Sequence, residues 1–288
     1  MLRVWFWAIR PKTLTASVAP VLVASGWALA QHSFQFWISL LALLSSIFIQ
    51  IGTNLVNDAQ DFKKGADRQD RLGPVRVSAA GLAPSSWVMR GAFICFFLSV
   101  LMGLPLVWVG GWPIVVVGLF SLLFGYLYTG GPYPLAYWGL GDLFVFLFFG
   151  WVAVGGVVYL QTGQVDFPAI ILGSQVGLLG CVLISINNLR DELQDRLAQK
   201  RTLVVLLGRR WNLALLWVYL VGPFLLQVFW KDLGYFWLPL LLFPLAVWVG
   251  WKVRSQSPSS VYNSYLARGA LLQLCFSLLL SFFLWTTA

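Results

Sequence analysis

The chain has 288 residues, of which 59% are hydrophobic and only 10% charged, and its formal net charge is +9. A soluble domain carries about 25% charged residues, so this composition excludes an ordinary soluble protein and indicates an integral membrane protein. The apolar runs are long and do not alternate as barrel strands do, which makes helices the spanning element. Basic residues in membrane proteins mostly set orientation, so we expect no nucleic-acid partner.

The apolar pattern predicts an all-α polytopic membrane protein, with nine spans in a single domain over residues 1–288. Each run is close to the roughly 20 residues that cross the hydrocarbon. The predicted spans are about 14–31, 36–56, 88–110, 112–130, 141–161, 166–186, 211–230, 234–251 and 266–286. With the N-terminus in the cytoplasm, all of the 19 Lys and Arg residues except Lys231 fall on the inside, as the positive-inside rule requires.

The first predicted span has a competing interpretation. It ends in Ala28-Leu29-Ala30, a pattern that is also typical of a signal-peptide cleavage site. The run is about 17 residues long, which exceeds most signal-peptide hydrophobic regions. We therefore expect a retained membrane helix.

Histidine and cysteine chemistry is largely excluded. His32 is the only histidine, so a metal site built from several histidines cannot form. The three cysteines all fall within apolar runs without CxxC spacing, which gives no basis for a disulfide or a zinc site. They are Cys95, Cys181 and Cys275.

Two acidic clusters, residues 54–61 and 187–195, lie at the ends of apolar runs and open the two long inside loops. Carboxylates at the edge of the hydrocarbon are costly to desolvate, so they are expected to have a partner or a function. Helical spacing puts the members of each cluster on one face: Asn54, Asp58 and Asp61 in the first, and Asn187, Asp191 and Asp195 in the second.

Oxygen ligands of this kind suit magnesium, which usually binds one or two carboxylates together with phosphate oxygens and water. Two such faces pointing at each other would bind a diphosphate through bridging Mg2+ ions. Nearby cations would neutralise the remaining phosphate charge; they are Lys63, Lys64, Arg71, Arg76, Lys200 and Arg201. Two alternatives stay open: solvated loop charges, and a cation-coupled transporter site, although the latter usually lies near the bilayer midplane.

The first cluster continues as NDAQDFKKGAD over residues 57–67 and RLGPVR over residues 71–76. This string resembles the first Asp-rich motif of the UbiA-type intramembrane prenyltransferases. The pattern NDxxDxxxGxD followed by RxGPxR is that of the branch that prenylates 1,4-dihydroxy-2-naphthoate in menaquinone synthesis. The 4-hydroxybenzoate branch would have a third Asp where Gly65 stands.

Three more segments carry the resemblance. The second cluster and its tail to Gly208 are similar to the second Asp-rich motif of the family. RPKTL at 10–14 and YTGGPYPLAYWGLGD at 128–142 match in the same order along the chain. Arg201 is one departure, at a position where a neutral residue is expected at least as often.

The resemblance implies nine helices around a central cavity in the bacterial inner membrane, with the active site on the cytoplasmic side. It implies Mg2+ as cofactor, a polyprenyl diphosphate as donor and 1,4-dihydroxy-2-naphthoate as acceptor. The product would be demethylmenaquinone, formed with loss of carbon dioxide. Another aromatic acceptor stays open (4-hydroxybenzoate, homogentisate or a chlorophyllide), as does a transporter or lipid-binding protein.

The expected catalytic and metal-binding residues are Asp58, Asp61, Asp191 and Asp195. The expected substrate-binding residues are Asn54, Lys63, Arg71, Arg76, Tyr128, Asn187, Lys200 and Arg201. Aromatic faces stabilise a cation in a dry site, which makes Tyr126, Tyr128 and Tyr133 candidates for contact with an allylic carbocation. Arg10 or Lys12 is a candidate for holding the acceptor carboxylate, although a topological role is the simpler interpretation.

Overall fold

The computed structural model describes residues 2–66 and 71–286, and within these parts of the chain every regular element is a helix. The motif residues Asp67 and Arg68 lie outside the described residues. The α-helices are α1 Leu2–Ile9, α2 Thr15–Ala30, α3 Phe36–Lys63, α4 Ser85–Gly110, α5 Trp112–Leu127, α6 Gly141–Phe146, α7 Ala153–Thr162, α8 Phe167–Leu197, α9 Leu203–Leu207, α10 Arg209–Leu226, α11 Phe243–Ser255 and α12 Tyr262–Trp285.

Seven helical stretches of the described chain are long and apolar enough to cross a membrane. An eighth is obtained if α1 and α2, which meet at a 46° bend, are counted as one span. The remaining apolar helix, α5, has 16 residues, about 24 Å at 1.5 Å per residue, which is short of the roughly 30 Å hydrocarbon core. The expected count of nine spans is therefore not confirmed, although a helix lies in each predicted run.

Helix α8 is the central element of the bundle. It contacts α2, α6, α7, α9, α10 and α12, and 72% of its most apolar stretch is buried. Large apolar side chains on the outer helices are exposed instead, as Trp108, Trp112 and Phe36 illustrate. An apolar exterior around a packed interior is what a multi-pass membrane protein requires.

Glycines let α8 approach the preceding span closely. Residues 147–152 of that span form a π-helical turn between α6 and α7. A Cβ on Gly177 would lie 2.8 Å from the carbonyl oxygen of Phe146, and one on Gly150 would lie 2.5 Å from that of Gly173. Close backbone approach through small residues is a common mode of helix packing in membranes.

The two longest helices carry the acidic clusters. α3 has 28 residues and α8 has 31. At 1.5 Å per residue, Asp58 lies about 33 Å from the start of α3 and Asp191 about 36 Å from the start of α8. Both distances slightly exceed the roughly 30 Å hydrocarbon core, so each helix is long enough to carry its cluster to the edge of that core.

Candidate active site

A small polar cavity of about 70 Å³ lies between the C-terminal parts of α3 and α8 and the segment that joins α5 to α6. Residues from both acidic clusters line it, together with side chains from the N-terminal and 128–142 motifs. Its polar lining consists of Arg10, Asn57, Asp61, Arg76, Tyr128, Thr129, Asp142, Asn187, Asn188, Lys200 and Thr202.

Asp58 holds the loop that follows the first cluster. The N–H of Val77 donates to its Oδ2 and the N–H of Ser78 donates to its Oδ1, both at 2.8 Å. Asp58 is only 1% exposed. Because both oxygens accept backbone hydrogen bonds, this carboxylate positions the loop that carries Arg71 and Arg76.

Asp61, one helical turn further along α3, points into the polar cavity. The Tyr137 hydroxyl donates to its Oδ1 at 2.9 Å. Its Oδ2 lies 3.4 Å from Nη2 of Arg76 and 3.6 Å from Nζ of Lys200. This carboxylate therefore lies within a buried cationic environment contributed by two different loops.

Asp191 forms a bidentate pair with its neighbour Arg190, whose Nε and Nη2 donate to Oδ1 at 2.7 Å and to Oδ2 at 2.6 Å. Arg71 adds a bond of 3.3 Å to the same Oδ2. The Arg190 guanidinium also packs against Gly73, where a Cβ would lie 2.7 Å from Nη2. The second cluster is thus joined directly to the loop of the first.

Lys200 joins the remaining carboxylates of the two clusters. Its Nζ lies 3.6 Å from Oδ2 of Asp61 and 3.9 Å from Oδ1 of Asp195. The Thr202 hydroxyl donates to Asp195 Oδ2 at 3.4 Å. The acidic clusters, far apart in the sequence, therefore face one another across a shared ammonium group.

The two cluster asparagines make structural contacts around the cavity. Nδ2 of Asn54 donates to the carbonyl of Ile9 at 2.9 Å and to the Thr13 hydroxyl at 3.0 Å, so Asn54 anchors the N-terminal segment. Oδ1 of Asn187 accepts from Arg190 Nη2 at 2.7 Å, and Asn187 also lines the cavity.

The predicted cations divide into an inner and an outer group. Arg71, Arg76 and Lys200 contact cluster carboxylates, as described above. Lys63 is exposed at the end of α3. Arg201 is also exposed, and its backbone N–H donates to the carbonyl of Tyr137 at 3.3 Å. The structure thus brings three predicted cations into the site and leaves two at the surface.

Lys64, the exposed residue that follows α3, directs its ammonium group towards the segment that joins α5 to α6. Its Nζ donates to the Thr129 carbonyl at 2.8 Å and lies 4.7 Å from the centre of the Tyr137 ring. Burial lowers the pKa of Lys64 below its usual range, with a smaller lowering from Lys200 and an opposing increase from Asp61. The amine is therefore easier to neutralise than an ordinary lysine.

A larger apolar cavity of about 410 Å³ adjoins the polar one. Tyr128 lines both cavities. Phe124, Phe144 and Phe148 supply aromatic faces next to it, and Gly118 leaves open space in the wall. An amphiphile with an anionic head and a long apolar chain fits this arrangement.

The other candidate tyrosines lie elsewhere. Tyr126 stacks on Phe93 at 6.3 Å, and Tyr133 is 72% exposed beside Trp138. Of the two N-terminal cations, Arg10 lines the polar cavity whereas Lys12 is exposed.

Three residues at the candidate site were not predicted from the sequence. Arg190 is 1% exposed at the join between the clusters, Tyr137 bonds Asp61, and Asp142 lines the polar cavity. Arg190 could have been predicted, because an Arg next to an Asp at the edge of an apolar run indicates a functional pair. The other two lie within the 128–142 string, whose path across the site depends on the tertiary fold.

The donor set fits a magnesium–diphosphate complex. Asp61 and Asp195 present hard oxygen atoms from facing helices, and the Lys200 ammonium already lies between them. Among the described residues, no three His, Cys, Asp or Glu side chains are grouped closely enough to hold a metal by themselves. Magnesium would thus take further oxygens from phosphate and water, which is its usual coordination in such sites.

The fold and the site define a class of protein: a membrane-embedded enzyme whose charged head-group site opens onto a cavity for an apolar chain. The profile described as "UbiA prenyltransferase family" matches residues 17–274, which is most of the chain. The chain belongs to the UbiA prenyltransferase family.

Curated relatives are similar over most of their length. The 1,4-dihydroxy-2-naphthoate octaprenyltransferase of Escherichia coli (strain K12) is 39% identical over 254 residues, which cover 84% of this chain and 82% of that protein. The enzyme of the same name from Mycobacterium tuberculosis (strain ATCC 25618 / H37Rv) is also 39% identical, over 71% of this chain and 70% of that protein.

A solved structure has the same fold. The UbiA homologue of Archaeoglobus fulgidus bound to GPP and Mg2+ aligns with a TM-score of 0.70 at 14% identity, over 98% of this chain and 99% of that one. This likeness concerns the fold alone, since the identity is low.

Proposed function

We propose that this enzyme transfers a polyprenyl group from a polyprenyl diphosphate to 1,4-dihydroxy-2-naphthoate, with Mg2+ as cofactor and with loss of carbon dioxide. The product is demethylmenaquinone in its hydroquinone form. The observation that carries the proposal is the junction at Tyr128, where a charged cavity of head-group size meets an apolar cavity of about 410 Å³. The 1,4-dihydroxy-2-naphthoate acceptor rests on the curated relatives.

The four predicted metal-binding carboxylates are proposed to act as two pairs. Asp61 and Asp195 would hold the metal, because they face each other across Lys200. Asp58 and Asp191 would position the groups around the metal, because Asp58 already accepts hydrogen bonds from the loop backbone and Asp191 already pairs with Arg190. When bound, Mg2+ supplies Lewis-acid stabilisation of the negative charge on the diphosphate leaving group.

The inner cations bind and orient the diphosphate. Lys200 and Arg76 already contact Asp61, and Arg71 contacts Asp191. Charge-assisted hydrogen bonds from these groups to phosphate oxygens are among the stronger ones available to a protein. Binding therefore exchanges internal ion pairs for contacts with the ligand.

The prenyl C1 would then lie beside Tyr128, with the chain among the aromatic side chains of the apolar cavity. As the C1–O bond to diphosphate breaks, C1 becomes positively charged, and aromatic faces stabilise such a cation in a water-poor site. The ring carbon that bears the acceptor carboxylate bonds to C1. The ring–carboxylate bond then breaks, its electron pair restores aromaticity, and carbon dioxide leaves.

We place this site on the cytoplasmic side of the bacterial inner membrane. The distribution of basic residues supports this orientation, since the loops next to both clusters carry most of them. Labelling of a Lys63→Cys variant in oriented vesicles, or protease accessibility of the same loop, would check this orientation. Labelling of residue 63 from the periplasmic face alone would contradict the orientation.

The decisive experiment uses the purified protein in nanodiscs. Geranylgeranyl diphosphate and Mg2+ would be combined with 1,4-dihydroxy-2-naphthoate, 4-hydroxybenzoate or homogentisate, and the products separated by mass spectrometry. We expect prenylated, decarboxylated product from the naphthoate and none after chelation of Mg2+. Product from 4-hydroxybenzoate alone would overturn the acceptor, and failure to release diphosphate with any acceptor would favour a transporter.

A matched pair of variants on α8 tests the site. Asp195→Asn removes a carboxylate that faces Lys200, so we expect turnover to fall at least tenfold. Glu192→Gln changes a carboxylate on the same helix that pairs with the exposed Arg196 at 3.4 Å, and it should retain activity. Equal activity in the two variants would contradict the proposed metal site.

A further inference from the structure

Asp142 is a buried carboxylate without a role in the proposed mechanism. It is 3% exposed and lines the polar cavity. Its Oδ1 has no hydrogen-bond donor in the part of the chain that the structure describes. An acceptor oxygen buried without a donor is costly, so a donor is expected to arrive with a ligand.

The surroundings of Asp142 indicate what kind of ligand this is. Cys181 donates to the backbone carbonyl of Asp142 at 3.3 Å, and the Tyr219 hydroxyl is a hydrogen-bond partner of the carboxylate, which leaves Oδ1 as the oxygen without a donor among the described residues. The neighbours are thus a thiol and a phenol, in contrast to the ammonium and guanidinium groups around Asp61. This side of the polar cavity therefore favours a neutral hydroxyl group, whereas Arg76 and Lys200, on the Asp61 side of the same cavity, favour the diphosphate.

The position of Asp142 also suits the acceptor. Tyr128 lines the polar cavity together with Asp142 and lines the apolar cavity as well. Phe144 and Phe148, on the same span shortly after Asp142, line the apolar cavity. Asp142 therefore lies where the two cavities meet, which is where the prenyl C1 and the acceptor ring must come together.

We infer that Asp142 accepts a hydrogen bond from the ring hydroxyl next to the reacting carbon of the aromatic acceptor. This assignment rests on the proposed function. A carboxylate that accepts this bond pushes electron density into the ring as the carbon attacks C1, and it fixes the ring's orientation. The reaction exchanges a carboxylate for a prenyl group and needs no net proton transfer, so the hydroxyl keeps its proton.

The test compares ligands with and without that hydroxyl. Asp142→Asn would be assayed for inhibition by a 2-naphthoate that carries the neighbouring hydroxyl and by one that lacks it. A hydrogen bond to a charged group is worth about 1.5–3 kcal/mol, which corresponds to about 10- to 140-fold in affinity. We expect this loss for the hydroxylated compound only, with the KM for geranylgeranyl diphosphate unchanged.

Matched controls separate this role from a structural one. Asp166→Asn changes the N-cap carboxylate that precedes α8, whose oxygens accept from Trp27 Nε1 at 3.1 Å and from the Ala169 N–H at 3.0 Å. It should affect stability without altering discrimination between the two naphthoates. Asp142→Glu, which keeps the charge, should recover part of the discrimination.

The possible outcomes distinguish failure of the role of Asp142 from failure of the proposed function. If the wild-type enzyme prenylates a hydroxylated acceptor but Asp142→Asn weakens both inhibitors equally, or raises the KM for the prenyl diphosphate, the role of Asp142 is overturned. If the wild type prenylates no hydroxylated aromatic acceptor, the proposed function fails, and the role of Asp142 fails with it.

Discussion

Asp58→Ala separates loop positioning from metal binding. The substitution removes both acceptors of the Val77 and Ser78 N–H groups, each bonded at 2.8 Å to a carboxylate that is 1% exposed. A buried donor left without a partner costs about 1–3 kcal/mol, so the two together cost about 2–6 kcal/mol. The lost hydrogen bonds destabilise the loop of residues 71–82, which carries Arg71 and Arg76. We therefore expect this loop to become less ordered and turnover to decrease.

Amide hydrogen exchange in nanodiscs measures this effect directly. A local loss of about 2 kcal/mol increases exchange about 30-fold, so peptides covering residues 71–82 should exchange at least that much faster in Asp58→Ala. Asp61→Asn is the matched control: it should raise the Mg2+ concentration needed for activity and leave exchange at residues 77 and 78 unchanged. Unchanged exchange in Asp58→Ala, together with a raised Mg2+ requirement, would refute the reasoning and make Asp58 a metal ligand.

Three further predictions concern packing, chain binding and protonation. Gly177→Ala places a methyl group 2.8 Å from the Phe146 carbonyl and should destabilise the protein by about 1–3 kcal/mol in a thermal-unfolding assay, whereas Gly155→Ala, with no neighbour closer than 3.6 Å, should not. Gly118→Phe places a side chain in the apolar cavity and should displace about two methylene groups of the prenyl chain, each worth about 0.8 kcal/mol when buried. The kcat/KM for geranylgeranyl diphosphate should therefore fall about tenfold. An equal fall for the short substrate dimethylallyl diphosphate would contradict this explanation. The pKa of Lys64 is lowered in the folded protein, so the protonated amine destabilises the folded state at pH values below that pKa. This destabilisation disappears as the pH rises from the lowered pKa towards 10.5. The rate of acylation of Lys64 measured against pH should therefore give a pKa below 10.5, and a pKa at or above 10.5 would contradict the prediction.

Helical periodicity predicted the faces of the two clusters because it depends only on local geometry. Asn54, Asp58 and Asp61 are all buried on one side of α3, as their spacing indicates. The partners of these side chains depend on residues far away in the sequence. Asp58 bonds a loop backbone about twenty residues further on, so its immediate role could not be predicted from residue type and spacing.

The number of spans was harder to predict than their positions. Hydropathy located a helix in every predicted run, but it does not report breaks. α1 and α2 are interrupted at Arg10–Leu14, where Arg10 has a left-handed φ of 56°, and α5 ends at Leu127, before the end of its predicted span. The 128–142 segment then returns across the polar cavity, which no local pattern could indicate.

Arg190 also determines how the bundle is held together. Its Nη1 donates to Asn263 of α12 at 2.7 Å, and Asn263 in turn donates to the Leu72 carbonyl at 2.9 Å, next to the glycine against which Arg190 packs. In a bilayer, helices are not driven together by exclusion from water, so such polar links carry much of their association. The packing of α12 and the geometry of the polar cavity are therefore coupled, and a compound that binds in this cavity should raise the melting temperature of the protein.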